Sequence, residues 1–292
     1  MAQSKHEIQS LLAGAKTQPR HRFGQNFMID QNLVRIVADA GQIAAGERVI
    51  EVGPGTGTLT EELLHRGADV ITVEIDRDLA KLLRERFDGN DHFTLIEADA
   101  LSSKHALNAE LQSHLTPGHP LKLVANLPYN IASPLIIELL IAGVELLAFT
   151  VQKEVANRLR AAAGSDDYGP LSVMAQMLAK VEVLRTLPPQ AFWPPPKIES
   201  ALVRMTRDDR SGGHAVAFGR FVQKFFSFRR KTLRKGLAQA GFDADAAIAA
   251  TRLDPQARPE VLSVAQLQAL FAATSASSPP SAAPAPAPAP PG

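Results

Sequence analysis

The 292-residue chain contains no cysteine. That absence excludes disulfides, thiolate nucleophiles, cysteine-ligated iron–sulfur clusters and cysteine-ligated zinc, and it suits a reducing compartment. A long apolar run is also missing: "PLIIELLIAGVELLAF" is broken by Glu138 and Glu145 and is too short or too charged to span a bilayer. The opening residues, "MAQSKHEIQSLLAGAKTQPRHRFGQ", lack the apolar core and cleavage site of a secretory signal. A cytoplasmic protein that does not use membranes is expected. No charge of one sign dominates either, with 31 basic and 30 acidic residues, so net charge argues neither for nor against nucleic acid. Distribution says more. Acidic residues are absent from Ser211 to Phe242, where Arg220, Lys224, Arg229, Arg230, Lys231, Arg234 and Lys235 supply seven positive charges. Such a stretch is either a solvated helix face or a contact surface for phosphates.

What is present is a 45% apolar chain long enough for one good core and a smaller second domain. Residues 1–20 read as a flexible basic arm with at most a short helix near Ile8 to Leu12. From there strands and helices alternate at short intervals. "RVIEVG", "DVITVEI", "FTLIEAD", "LKLVANLP" and "LLAFTVQ" have strand character, and "NLVRIVADAG", "TLTEELLHRG", "RDLAKLLRERF", "ASPLIIELLIAG" and "KEVANRLRA" have helical spacing. The alternation predicts an α/β fold, a mainly parallel Rossmann-like sheet with helices on both faces, over residues 21–207. "KVEVLRTLP" and "ESALVRMTR" form its final strand pair around the loop "PPQAFWPPPKI". Residues 208–273 predict a small all-helical domain, and 274–292 a disordered Pro/Ala-rich tail.

"EVGPGTGTLT" follows a strand and opens a helix. Gly53, Gly55 and Gly57 permit a tight turn and leave room for a ligand. The spacing is neither the dinucleotide GxGxxG nor a phosphate loop ending in Gly-Lys-Ser/Thr. Glu51, just before the first glycine, would repel a pyrophosphate but suits the ammonium of an amino-acid moiety. Glu74, at the end of the second strand, can accept both hydroxyls of a ribose. Asp99, at the end of the third, can accept an adenine amine or cap the element that follows. Together these strand ends describe a pocket for an adenosine carrying an amino-acid tail, which is S-adenosylmethionine.

The fourth strand ends in "NLPY". The amide oxygen of Asn126 and the carbonyl of Leu127 are two acceptors for the two protons of an exocyclic amine. Pro128 stiffens the backbone there, and Tyr129 offers a flat face for a base. Acceptors on both N–H bonds free the amine lone pair for in-line attack on a sulfonium methyl, and no metal or covalent nucleophile is required. In "AFWPPPKIES", Phe192 or Trp193 is placed to cover the other face of the base, although Trp193 equally suits a core, and Lys197 to touch a phosphate.

These motifs stand in the order seen in the ribosomal RNA adenine N6-dimethyltransferase family. The chain resembles that family, and its small-subunit branch in particular, from about Phe23 to Phe271. "FGQNFMID", "EVGPGTGTLT", "VEID", "EADAL", "NLPYNIASP", "VQKEVANRL", "YGPLSVMAQ" and "FWPPPKIESALVRM" carry the catalytic part. "FSFRRKTLRKGL" and "LDPQARPEVLS" carry the helical part. Met28 stands where leucine is usual, Pro170 where arginine is common, and the tail lies outside the family pattern. The resemblance implies that Gln25, Asn26, Met28, Glu51, Gly53, Gly55, Glu74, Ile75, Asp99, Ala100 and Asn126 surround S-adenosylmethionine. It implies that Asn126, Leu127, Tyr129 and Phe192 meet the target adenine. It also implies a monomeric enzyme acting on 16S rRNA in the immature small ribosomal subunit, with no metal. Two alternatives remain beside it: a 23S rRNA adenine dimethyltransferase of the macrolide-resistance type, and a non-catalytic RNA-binding assembly factor on the same fold.

Overall fold

The computed structural model describes residues 3–20, 23–115 and 120–276. Two compact units form, one from the chain up to Ala161 together with Asp167–Ala215, the other from Ala162–Asp166 together with Val216 onward. The first is built on seven strands: β1 (Arg48–Val52), β2 (Asp69–Glu74), β3 (Phe93–Glu97), β4 (Leu121–Asn126), β5 (Leu146–Gln152), β6 (Ala179–Leu187) and β7 (Ser200–Arg207). Their order is β3-β2-β1-β4-β5-β7-β6. The first five are parallel, and β7 is inserted antiparallel between β5 and β6. Parallel strands buried on both faces have near-continuous apolar sequences. β5 is the extreme case, with residues 147–151 at 0% exposure. The strand order reverses between β1 and β4, and ligands bind outside the carboxyl ends of strands at such a switch point.

The N-terminal arm is not loose. Residues Lys5–Gly14 form helix α1, capped by a reciprocal Ser4–Glu7 pair. Ile8 and Leu12 are buried with Phe27 and Leu79. Two apolar residues spaced i, i+4 are a weak signal alone; here a hydrophobic patch far along the chain completes them. Arg20 then pairs with Asp76 at 2.7 Å and with Asp78. Two short strand pairs and one short helix also had no distinct signal. Phe27–Met28 pairs antiparallel with Phe192–Trp193, Leu101–Ser103 pairs with Ala106–Leu107, and a five-residue helix spans Ala109–Ser113.

The second unit is helical: Ala215–Phe226, Leu233–Gln239, Ala244–Thr251 and Val264–Ala276. Its core is a phenylalanine cluster in which Phe221 contacts Phe218, Phe225, Phe242 and Phe271 at ring separations of 5.3–6.3 Å. The boundaries differ from those expected at 207 and 273. Asp208 and Arg210 donate their N–H groups to Leu178 and Met177 of the sheet unit, and Gly164 donates to Glu260 of the helical unit. The last helix runs to Ala276, and the Pro/Ala-rich sequence after it lies outside the described residues. Among the described residues no helix is long and apolar enough to cross a membrane.

Candidate active site

The ends of β1, β2 and β3 and the turn after β4 open onto one cleft. The glycine loop leaves β1 with Gly53, Gly55 and Gly57 at φ of +71°, +62° and +81°, where side chains are strained. The loop is also tightly packed. A Cβ on Gly53 would stand 2.9 Å from the Pro128 ring, and one on Gly55 would stand 2.8 Å from the Phe27 ring. On that side the glycines make room for the protein's own side chains, while Gly53 and Gly55 still line the cleft. The glycines let the loop lie against the acceptor turn and the N-terminal motif, which closes the walls of the cleft.

Two buried acids line it. Glu51 is 2% exposed, and its Oε2 accepts from the Thr60 hydroxyl at 2.6 Å. Burial pushes its carboxyl up to about 8; the Thr60 bond opposes the rise and the Glu74 charge adds to it. Glu74 is 4% exposed and accepts from the N–H groups of Asp76 at 2.9 Å and Gly55 at 3.3 Å. Burial raises it to about 7 against those two bonds. Acids held so deeply are stabilised in their charged form by a cation or by further donors. An ammonium beside Glu51 and ribose hydroxyls beside Glu74 match that need. Ile75, 44% exposed, gives an apolar face beside Glu74, and Ala100 lies buried across the same cleft. The exposed Asp99 caps Leu101 through one oxygen at 3.0 Å, a role compatible with ligand binding because a carboxylate has two.

Gln25, Asn26 and Met28 line the opposite wall. Gln25 accepts from the Arg20 N–H at 2.8 Å and donates to Asp76 at 3.1 Å, and Asn26 donates to the Gly24 carbonyl at 3.1 Å. Asn126 reaches the cleft from β4. Its Nδ2 donates to the Asn26 carbonyl at 2.7 Å, while its Oδ1 accepts from the Thr150 hydroxyl. Leu127 is 1% exposed and donates its N–H to the Thr150 carbonyl at 3.3 Å, which fixes the backbone of the turn. Tyr129, half-buried, shares a hydrogen bond of 2.8 Å with the Ser200 hydroxyl; burial raises its phenol, the Ser200 bond opposing.

Phe192 requires a correction. It is 1% exposed in the main hydrophobic core, paired in register with Met28, so it backs the cofactor wall and presents no face to a base. Trp193, partly buried, stacks on Phe27 with centroids 6.4 Å apart and packs against the small core under α1. The Phe27–Met28 bridge draws both rings inward, and nothing in the local sequence around "AFWPPP" specifies that partner. Lys197 is exposed in the sheet unit. Arg220, Lys224, Arg229, Arg230, Lys231, Arg234 and Lys235 are all exposed in the helical unit, where Lys224 lies over the Phe242 ring at 5.3 Å and Arg234 pairs with Asp245 at 3.3 Å. Sequence reasoning missed Thr150 and Ser200, both 0% exposed, and Gln3, which bonds Thr56 of the glycine loop through both its amide atoms. For Thr150 one signal existed: a lone hydroxyl in an apolar strand.

Known proteins place the chain in a family. A family model described as Ribosomal RNA adenine dimethylase matches residues 16–275. A relative from Hahella chejuensis named Ribosomal RNA small subunit methyltransferase A is 43% identical over 84% of this chain and 89% of its own length. One of the same name from Phenylobacterium zucineum is 43% identical over 85% of each. Among solved structures, the 23S rRNA methyltransferase ErmE superposes with a TM-score of 0.61 at 26% identity, covering 86% of this chain and 100% of that one. A dimethyladenosine transferase from Plasmodium falciparum gives a TM-score of 0.64 at 22% identity, over 84% and 95%, and supports the fold alone. The Rossmann-like methyltransferase sheet, the cleft at its switch point and the match along most of the chain lead to one assignment: the chain belongs to the ribosomal RNA adenine dimethylase family.

Proposed function

We propose that this protein transfers methyl groups from S-adenosylmethionine to N6 of two adjacent adenines near the 3′ end of 16S rRNA, in the immature small ribosomal subunit, as a cytoplasmic monomer. The small-subunit choice is carried by one observation. Relatives named for the small subunit share 39–43% of residues over most of the chain, against 26% for the 23S enzyme ErmE.

The cofactor, when bound, supplies an electrophilic methyl on a sulfonium. The residues around it have separable tasks. Glu51 binds the ammonium and Glu74 the ribose, each from a buried carboxylate at a strand end. Asp99 and Ile75 receive the adenine ring, by hydrogen bond and by apolar contact. Asn126 Oδ1 and the Leu127 carbonyl accept the target amine's two N–H bonds, which orients its lone pair and holds the amine still. Tyr129, tethered to Ser200, stacks on the target base. The exposed cations of the helical unit bind rRNA phosphates and contribute affinity without base readout.

Methyl-acceptor mapping tests this assignment. Purified protein is offered undermethylated small subunits and, separately, large-subunit RNA, and the product adenines are located. Dimethyladenosine at neighbouring positions near the 3′ end of 16S rRNA is expected. Products confined to 23S rRNA would move the protein to the other branch.

A further inference from the structure

We infer that Thr150 is a positioning residue for methyl transfer, holding the side-chain amide of Asn126 in one orientation. The inference rests on the assignment of Asn126 to the target amine. It starts from an anomaly in β5. Residues 147–151 are all fully buried, and Thr150 is the one polar side chain among them. A hydroxyl there needs a partner, because an unmade hydrogen bond in such a site is costly. Thr150 lies directly across from Asn126 in the parallel β4–β5 register, and its hydroxyl bonds Asn126 Oδ1.

The two ends of the amide settle its direction. A backbone carbonyl can only accept, so the group 2.7 Å from the Asn26 carbonyl must be the Asn126 NH2. Oδ1 then faces Thr150, whose hydroxyl must donate. The terminal torsion of asparagine is broad and roughly two-fold, so a single bond leaves it loose. Bonds at both ends remove that freedom. An amide oxygen has two acceptor positions, and Thr150 occupies one. The other stays available for an amine N–H. Were the amide to turn over, it would present donors to a group that must itself donate.

The test uses the full-length protein with undermethylated small subunits. Rate constant, KM for RNA, cofactor affinity by calorimetry and melting temperature are measured for Thr150→Val, Thr150→Ser and Thr150→Ala. Thr150→Val keeps the shape and deletes the donor. Its methyl-transfer rate should fall by roughly 10- to 100-fold, as expected for a misplaced reacting group, with KM and cofactor affinity within about threefold. Thr150→Ser should stay within about threefold of wild type. Wild-type turnover in Thr150→Val overturns the inference. So does a loss in Thr150→Ser as large as in Thr150→Val, since packing of the methyl would then be the cause. A parallel fall in cofactor affinity also overturns it, by moving the role to the Asn26 wall. Should Thr150→Val fail to fold, the Ser and Ala variants carry the decision, because both lack the methyl and only one keeps the hydroxyl. Asn126→Ala separates the two claims. If it transfers methyl at the wild-type rate, the assignment of Asn126 fails; if it is inactive while Thr150→Val is not, only Thr150 is refuted.

Discussion

In the sheet unit three polar groups at or behind the cleft are buried and individually held. Glu51, Glu74 and Thr150 are each at most 4% exposed, and each has a partner at hydrogen-bond distance. In the helical unit the chemistry is inverted. Six phenylalanines occupy the interior contacts, while the seven cations sit outside, exposed, with few fixed partners. A buried polar group works in one geometry and is costly when unpaired. Exposed charges add up through screened, long-range attraction, so no single one is essential. Single substitutions should therefore disable the first region, whereas only combined ones should change the second.

The largest effect is expected at Asn126. Asn126→Ala should lower the transfer rate by about 100-fold or more, the scale on which loss of orientation acts, while cofactor affinity stays within a few fold. Collapse of cofactor affinity instead would place this amide on the cofactor side of the cleft. Gly55→Ala comes next. A methyl there must adopt φ +62° and meet the Phe27 ring at 2.8 Å, so a stability loss of about 2–3 kcal/mol is expected in urea denaturation. An unchanged midpoint would show that the loop can move away from Phe27.

The buried acids predict a pH dependence confined to the sheet unit. Folded Glu51 titrates near 8 and folded Glu74 near 7, whereas unfolded glutamate titrates near ~4.3. Between those limits the unfolded chain is ionised while the folded chain keeps its protons. Stability therefore falls as pH rises from about 4.5 towards 8, and the two raised carboxyls together set an upper limit of about 9 kcal/mol on the loss. Glu51→Gln should show a smaller drop between pH 5 and 8 than wild type. Equal drops in the two proteins would mean that Glu51 is not the titrating group.

Smaller effects belong to the helical unit. Neutralising Arg229, Arg230 and Lys231 together should weaken RNA binding and reduce the slope of log affinity against log salt by about two to three. An unaltered slope would make the stretch a solvated face only. Arg234→Ala alone should change stability by less than about 0.5 kcal/mol, since its pair with Asp245 is exposed on both sides. A larger loss would undo the contrast between the units.

One wall of the candidate cofactor cleft was legible because its residues sit at strand ends, which can be found from apolar runs and glycines, whereas Gln25, Asn26 and Met28 of the opposite wall came only from the family resemblance. Glu51, Gly53, Glu74 and Asp99 follow one another in that rhythm and meet in one cleft. The helix over Lys5–Gly14 was legible only as a short helix near Ile8 to Leu12, because its two core residues are completed by Phe27 and Leu79. Phe192 was misjudged for a related reason. An aromatic ring in a proline-rich loop looks available, yet strand pairing with Met28 turns it inward. Thr150 was passed over because an apolar strand with one hydroxyl is common, and its meaning depends on what lies opposite.

By itself the sequence determined the alternation of strands and helices, the glycine loop, the strand-end acids and the acid-free basic stretch. All of these follow from local periodicity and composition. Only the tertiary structure decided which way Asn126 points, what the glycines pack against, and which aromatic rings are exposed. Those outcomes are set by neighbours brought together across the sheet: Thr150 is 24 residues from Asn126 in the chain, and Asn26 is 100. Pairwise contacts at such separations depend on strand order and register, which no local pattern encodes.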